Sequence, residues 1–380
     1  MSYFNIVERY RERIKSSKER LSLAWRGENK DRPAFVIHDV NAALFGYDDA
    51  PDEYFEYKSM FEYQAAKIER HMAEIPDNYI PVFHPWYSTA VLPSALGVKV
   101  RFFKGMDPAA EGGVIEEPGD INKLETPDPY TQGLMPKVLS AIDYFRKNTD
   151  AAVAVTDTQG PLNIALTLTG IEKLFIWMFE YPHAVHELMD FCTDALIQWI
   201  KVQKNHAGHK LHGDSYPHTL YLPSGYGGVS FSDDDLVVIS PSQYREFVMP
   251  YNEKLLAAFG GGTVHFCGSA EHQLENLANM IGCTGVNNFM MGNLRQAYSL
   301  LKLFRGKGAI MACDYNAVDI QGQCNSLKRM LSGDPSGCVA GLFITPKTAL
   351  SDDGTYIEYE GSRDELVSIY AKQFDSWLEK

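Results

Sequence analysis

The sequence predicts an α/β fold: a closed barrel of eight parallel strands wrapped by helices. Three observations carry this. Eight short runs of apolar, β-prone residues recur along the 380-residue chain, most of them followed by a helical pattern; such alternation builds a parallel sheet. Runs such as Ala151-Ala152-Val153-Ala154-Val155 and Val339-Ala340-Gly341-Leu342-Phe343-Ile344 are almost continuously apolar, as strands buried on both faces must be. The first strand runs into His38-Asp39-Val40-Asn41, not into a G-x-G-x-x-G loop. That removes the open dinucleotide-binding sheet as a rival, and eight is the number that closes a barrel.

The elements follow in order. Residues 1–30 read as a charged N-terminal helical segment without the apolar core of a signal peptide. Candidate strands are Ala34–Ile37, Tyr79–Phe83, Ala151–Thr156, Gly228–Phe231, Thr263–Phe266, Thr284–Phe289, Ala309–Ala312 and Val339–Ile344. Gly170–Phe179 and Pro182–Lys204 carry apolar residues at helical spacing, and Pro182 suits a first turn. Ser240-Pro241-Ser242 supplies a cap and a first-turn proline for a helix over Gln243–Phe259; His272–Met280 and Ser362–Leu378 have the same character. No Ser/Gly linker or low-complexity stretch divides the chain, so residues 1–380 read as a single domain. Two long irregular stretches, 84–130 and 206–235, are expected to form loops over the barrel mouth.

Composition narrows the function classes. Thirty-five Lys and Arg against 49 Asp and Glu give a net charge of −14. That opposes a nucleic-acid groove or an anionic membrane surface. No apolar run reaches the 18 or so residues of a spanning helix, and the expected location is cytoplasmic. Six cysteines with no C-x-x-C pair are too sparse for a disulfide scaffold.

The segment Gly260-Gly261-Gly262-Thr263-Val264-His265-Phe266-Cys267-Gly268 reads as loop, strand, loop. Residues two apart on a strand share a face, so His265 and Cys267 point the same way at the strand's C-terminal end, where barrels place their chemistry. An imidazole and a thiolate are half of a tetrahedral zinc site; a histidine and a cysteine that merely pack in the core are the commoner case, because zinc needs three or four ligands. Asp233, Asp234 and Asp235 follow another strand. They suit a helix cap, which is common, and one of them, Asp233, is the candidate proton-handling or ligand-supporting carboxylate. His38 and His84 follow the first two strands and are expected at the same barrel end. His206, His209, His212 and His218 with Asp214 read as a solvated loop rather than a metal site.

Several segments together resemble the uroporphyrinogen decarboxylase superfamily. They are VTDTQGPLNIALTLTGIEKLF (155–175), FSDDDLVVISPSQYREFVMPYNEKL (231–255) and VHFCGSAEHQLENLANMIGCTGVNNF (264–289). The last is similar to the His-x-Cys-Gly segment of the branch that holds the methylcobalamin:coenzyme M methyltransferases. The resemblance implies a (β/α)8 TIM barrel with its pocket at the C-terminal end. It also implies zinc held by His265, Cys267 and a further cysteine after the last strand. At that last position the sequence has Leu342, so another group must complete the shell: Cys313, or His38, His84 or Asp233. Ala24-Trp25-Arg26-Gly27-Glu28 lacks the arginine-rich loop of tetrapyrrole decarboxylases.

The function implied is methyl transfer between a small substrate and a cobalamin. No Asp-x-His-x-x-Gly motif is present, so the corrinoid is expected on a separate partner protein. By analogy with the same relatives, a homodimer is expected. The alternatives are a metal-free decarboxylase-like lyase, or a barrel that binds a small molecule without catalysis.

Overall fold

A computed structural model describes residues 3–39, 53–103, 106–217, 220–290, 293–314, 331, 334–344, 347–350 and 356–358, with isolated positions 365, 368 and 372. Eight strands run parallel around a TIM barrel. They are β1 (Ala34–Asp39), β2 (Val82–Phe83), β3 (Ala152–Val153), β4 (Val229–Ser232), β5 (Gly262–Cys267), β6 (Cys283–Phe289), β7 (Ala309–Asp314) and β8 (Cys338–Ile344). Each overlaps one of the eight runs read from the sequence.

Six of them form one continuous sheet in the order β1-β8-β7-β6-β5-β4, and β2 and β3 pair separately. Two seams therefore lie in the wall. At the first, side chains replace a ladder: Asn78 Oδ1 accepts from Phe35 N at 3.1 Å and Asp77 Oδ2 from Ile37 N at 2.6 Å. The second, between β3 and β4, closes only near its C-terminal end, where Ser232 N donates to Thr158 O and Gly160 N to Ser232 O, both at 2.7 Å.

The strands are apolar because both faces are covered; Val36, Val264, Phe266, Val286 and Ile310 are all buried. Trp25, at the end of the helix Arg11–Trp25, fills the space against Gly285 and Gly308 and donates from Nε1 to Tyr221 O at 3.0 Å. The helix Pro182–Ala207 begins at its proline as read, and Ser240 caps Pro241–Phe247 by accepting from Gln243 N. Two expectations change. The helix expected over Gln243–Phe259 is two helices, Pro241–Phe247 and Met249–Ala258. Pro250 lies in the first turn of the second, where the missing N–H costs nothing. The strands expected over Tyr79–Phe83 and Ala151–Thr156 shrink to two paired residues each, because their flanks border the seams. The helix expected over Ser362–Leu378 lies, except for three positions, outside the described residues.

Residues 84–130 carry an antiparallel hairpin, Lys99–Phe103 with Met106–Glu111, and a 3-10 turn at Pro118–Lys123. Among the described residues no single helix is long and apolar enough to cross a membrane.

Candidate metal centre

The site is built on β5. Its entry turn needs glycine: a Cβ on Gly262 would lie 2.0 Å from Val229 O, so only the bare backbone lets β5 start this close to β4. From there the parallel register sets His265 beside Ser232 on one side and Asn287 on the other. Asn287 Oδ1 lies 2.5 Å from His265 Nδ1, while Asn287 Nδ2 donates to Met311 O at 3.2 Å. The second bond fixes which way the amide points. Its oxygen faces the ring, so Nδ1 carries the hydrogen and the Nε2 lone pair is left to face the mouth. Phe289 packs edge-on against the ring at 4.5 Å.

Cys267 Sγ lies 3.5 Å from His265 Nε2. The third donor is Asp234: its Oδ1 is 3.7 Å from Nε2 and accepts from the Cys267 backbone N at 2.8 Å. One ligand atom from each of Asp234, His265 and Cys267 lies within 4.8 Å of the others. Among the described residues this is the one group of three such donors close enough to share an ion. Gly268 turns the chain directly after Cys267 at a positive φ of 78°. Asn288 and Gln296 hold that turn: Asn288 Nδ2 donates to Phe266 O at 3.0 Å, and Gln296 Nε2 to Gly268 O at 2.9 Å.

The electrostatics call for a cation. Burial and the neighbouring Asp234 carboxylate push the Cys267 thiol up to about 12. Burial pulls His265 below its ordinary value, which keeps the imidazole neutral and ready to ligate. Asp157, also near the mouth, is pushed up to about 7 by burial and by the charges of Asp234 and Asp107. A divalent ion among Asp234, His265 and Cys267 would invert this balance and make the thiolate the stable form. The nitrogen, sulfur and oxygen donors match zinc, and three of them leave a fourth position for a substrate atom. Asn287 supplies the outer hydrogen bond that ligating histidines usually have.

The other expected residues fall as follows. Asp233 is wholly buried and turned outward to the helix layer, where its Oδ2 accepts from Tyr244 Oη at 2.6 Å and Asn252 Nδ2 at 2.8 Å. Burial holds it up at about 6. This corrects the expectation placed on Asp233: adjacent residues diverge, and the carboxylate that meets the imidazole and the sulfur is that of Asp234. His84 is buried with Nε2 unpaired and is driven down to about 3 by burial, so it is neutral. It lines a cavity with Trp86 and Asp157. His38 and Cys313 lie on β1 and β7, but their side chains fall outside the described residues. Of the histidines read as a solvated loop, His206 pairs with Asp143, and His209 is half-buried, donating from Nε2 to Val153 O at 2.7 Å and lining the same cavity as Asp214. His218 lies outside the described residues.

Asn287 and Asp157 were not singled out from the sequence, and Asp234 was read only as one of three consecutive aspartates. Asn287-Asn288 inside a buried strand was a readable signal, because a polar pair there must serve a partner.

The uroporphyrinogen decarboxylase (URO-D) family matches residues 16–211, a stretch that ends before β4. A methylated-thiol–coenzyme M methyltransferase of Methanosarcina mazei is 26% identical over 227 residues, 59% of this chain and 55% of that protein. A uroporphyrinogen decarboxylase of Xylella fastidiosa is 27% identical over 184 residues, 46% of each. The chain thus spans about half the length of the curated relatives it matches. A methyltransferase from Methanosarcina mazei has a similar structure, with a TM-score of 0.68 at 17% identity, covering 95% of this chain and 99% of that one. With more than half of its residues matched to the family and the barrel shared almost end to end, the chain belongs to the uroporphyrinogen decarboxylase family.

Proposed function

We propose that the chain is a methyltransferase. It moves a methyl group between a small substrate and a cobalamin carried by a separate corrinoid protein. The observation that carries this reading is the convergence of Asp234, His265 and Cys267 at the C-terminal end of β5. Metal-independent decarboxylation has no need of a thiol, an imidazole and a carboxylate meeting at one point. The relative named a methylated-thiol–coenzyme M methyltransferase supports a thiol or thioether as the substrate's reacting group.

Asp234, His265 and Cys267 would hold zinc. When bound, zinc supplies Lewis acidity, which brings a coordinated thiol to its anionic, nucleophilic form near neutral pH. The chain's own residues do the rest. Asn287 keeps the Nδ1 hydrogen of His265 in place. Asn288 and Gln296 hold the turn that presents Cys267. Asp157, His84 and Trp86 line a cavity whose wall is tied at Ser232 to the strand beside β5, and orient the substrate.

Metal analysis tests the reading first. Protein exposed to zinc under reducing conditions is expected to retain one equivalent, and His265→Ala and Cys267→Ser are expected to lose it. Transfer is then followed by the cobalt absorbance change on mixing with a methylated corrinoid protein and a thiol. Zinc content unchanged in His265→Ala, or no transfer by the zinc-loaded protein, would overturn the reading.

A further inference from the structure

Where β3 and β4 part below their bridge at Ser232, the wall opens into a cavity of about 50 Å³. Its upper end is lined by His84, Trp86, Thr156, Asp157, Ser230 and Phe231. Three side-chain atoms there, His84 Nε2, Thr156 Oγ1 and Ser230 Oγ, are buried without a hydrogen-bond partner. His84 and Thr156 are 3% and 2% exposed. A buried polar atom left unpaired is costly, so such a set is arranged for something that comes in.

We propose that this slot receives the non-reacting end of the substrate, and that this end is a primary ammonium group rather than an anion. The inference rests on the methyl-transfer reading for the position of the reacting end. A neutral imidazole nitrogen and the two hydroxyl oxygens can each accept a hydrogen bond, and the Asp157 carboxylate accepts as well. An ammonium offers three N–H donors to these groups. Asp157 also feels the charges of Asp234 and Asp107, and its own charge reaches the Cys267 thiol. Thr158, beside Asp157, bonds to Ser232, which lies next to His265 in the register of β4 on β5; the Asp157 end of the slot thus faces the donors' strand, and its field there is negative. Asp107 accepts from Trp86 Nε1 at 2.7 Å, which places a second carboxylate behind the indole; the indole face itself favours cations. A cation in the lining, Lys204, sits at the other end of the cavity, beside Gly228. Its Nζ donates to Gly228 O at 2.5 Å, at the entry to β4, and lies over the Phe259 ring. An anionic end would meet Asp157, with the charge of Asp107 behind the indole, and gain only the two hydroxyls and the imidazole.

The test uses the full chain at pH 8, where Asp157 is largely ionised. Without zinc, ethylammonium and ethanesulfonate are compared by ligand-observed NMR. With zinc, three two-carbon thiols are titrated by calorimetry: 2-aminoethanethiol, 2-mercaptoethanol and 2-mercaptoethanesulfonate. Ethylammonium is expected to bind and ethanesulfonate not. The aminothiol is expected to bind at least tenfold tighter than the sulfonate. Asp157→Asn is expected to bring the two thiols within threefold of each other, and Thr156→Val to weaken the aminothiol more than the sulfonate. Sulfonate binding as tight as ammonium, in either pair, overturns the proposal. So does a slot that holds ordered water alone and binds neither ethyl probe. Ethylammonium binding with no thiol bound to the zinc-loaded protein would leave the slot standing and bring down the metal reading instead.

Discussion

Replacing Asn287 by leucine keeps the volume and removes only the amide. The change leaves His265 Nδ1–H without the acceptor it now has at 2.5 Å and Met311 O without its donor at 3.2 Å. Both lie in a fully buried setting, since Asn287 is 0% exposed. The imidazole is then free to rotate or to take the other tautomer, and its Nε2 lone pair no longer faces Cys267 and Asp234 by default. Loss of such an outer hydrogen bond costs ligating histidines roughly 10- to 100-fold in metal affinity. At about 1.4 kcal/mol per tenfold, that is about 1.4 to 2.8 kcal/mol. The unpaired ring hydrogen adds roughly 1–3 kcal/mol of lost folding stability. Zinc affinity is read by competition with a chromophoric chelator, and circular dichroism confirms that the variant is folded. Asn287→Asp restores an acceptor, now charged, and is expected to bind zinc at least as tightly as the parent. A folded Asn287→Leu that holds zinc within threefold of the parent would refute the tautomer argument and with it the assignment of Nε2 as a ligand.

Asp234→Asn is expected to weaken zinc binding by at least tenfold in the same competition assay, whereas Asp233→Asn leaves it unchanged, because only Asp234 reaches the donors. Asp233 instead tunes stability with pH. Its folded value near 6 stands above the ordinary 3.8, so its favourable contribution is complete below pH 3.8 and is lost as pH rises through 6. The denaturation free energy of Asp233→Asn, minus that of the parent, is expected to grow by about 3 kcal/mol between pH 3 and pH 8, at about 1.4 kcal/mol per pH unit of displacement; a flat difference would show that the burial argument fails. Trp25→Ala empties the space against Gly285 and Gly308 and breaks the bond to Tyr221. The expected loss is about 3–5 kcal/mol by urea denaturation, and a loss under 1 kcal/mol would show that Trp25 is not structural.

The barrel was legible because strands covered on both faces must be apolar almost throughout, and that pattern survives in a single sequence. Its seams were not. Tyr79 and Ile80, or Ala154 and Val155, are as apolar as paired residues, and the difference lies in Asp77, Asn78 and the parted β3–β4 edges. The pairing of His265 with Cys267 was legible because a strand's period of two fixes it. Which of three consecutive aspartates joins them was not, since a turn has no such period. Asn287 reaches His265 through the lateral register of β5 on β6, and register between strands leaves no mark on spacing along the chain. The break at Val248 was written in Pro250, which was read as interior to one helix although it opens a second.

The interrupted wall has a mechanical consequence. All three donors sit on β5 and the turn after β4, and β4 is itself one side of the parted seam. Ser232, two residues before Asp234, makes both backbone bonds that close the seam, to Thr158 and Gly160. The cavity wall and the carboxylate donor therefore share one anchor, and a substitution along β3 that shifts the wall is also felt by the grip on the ion.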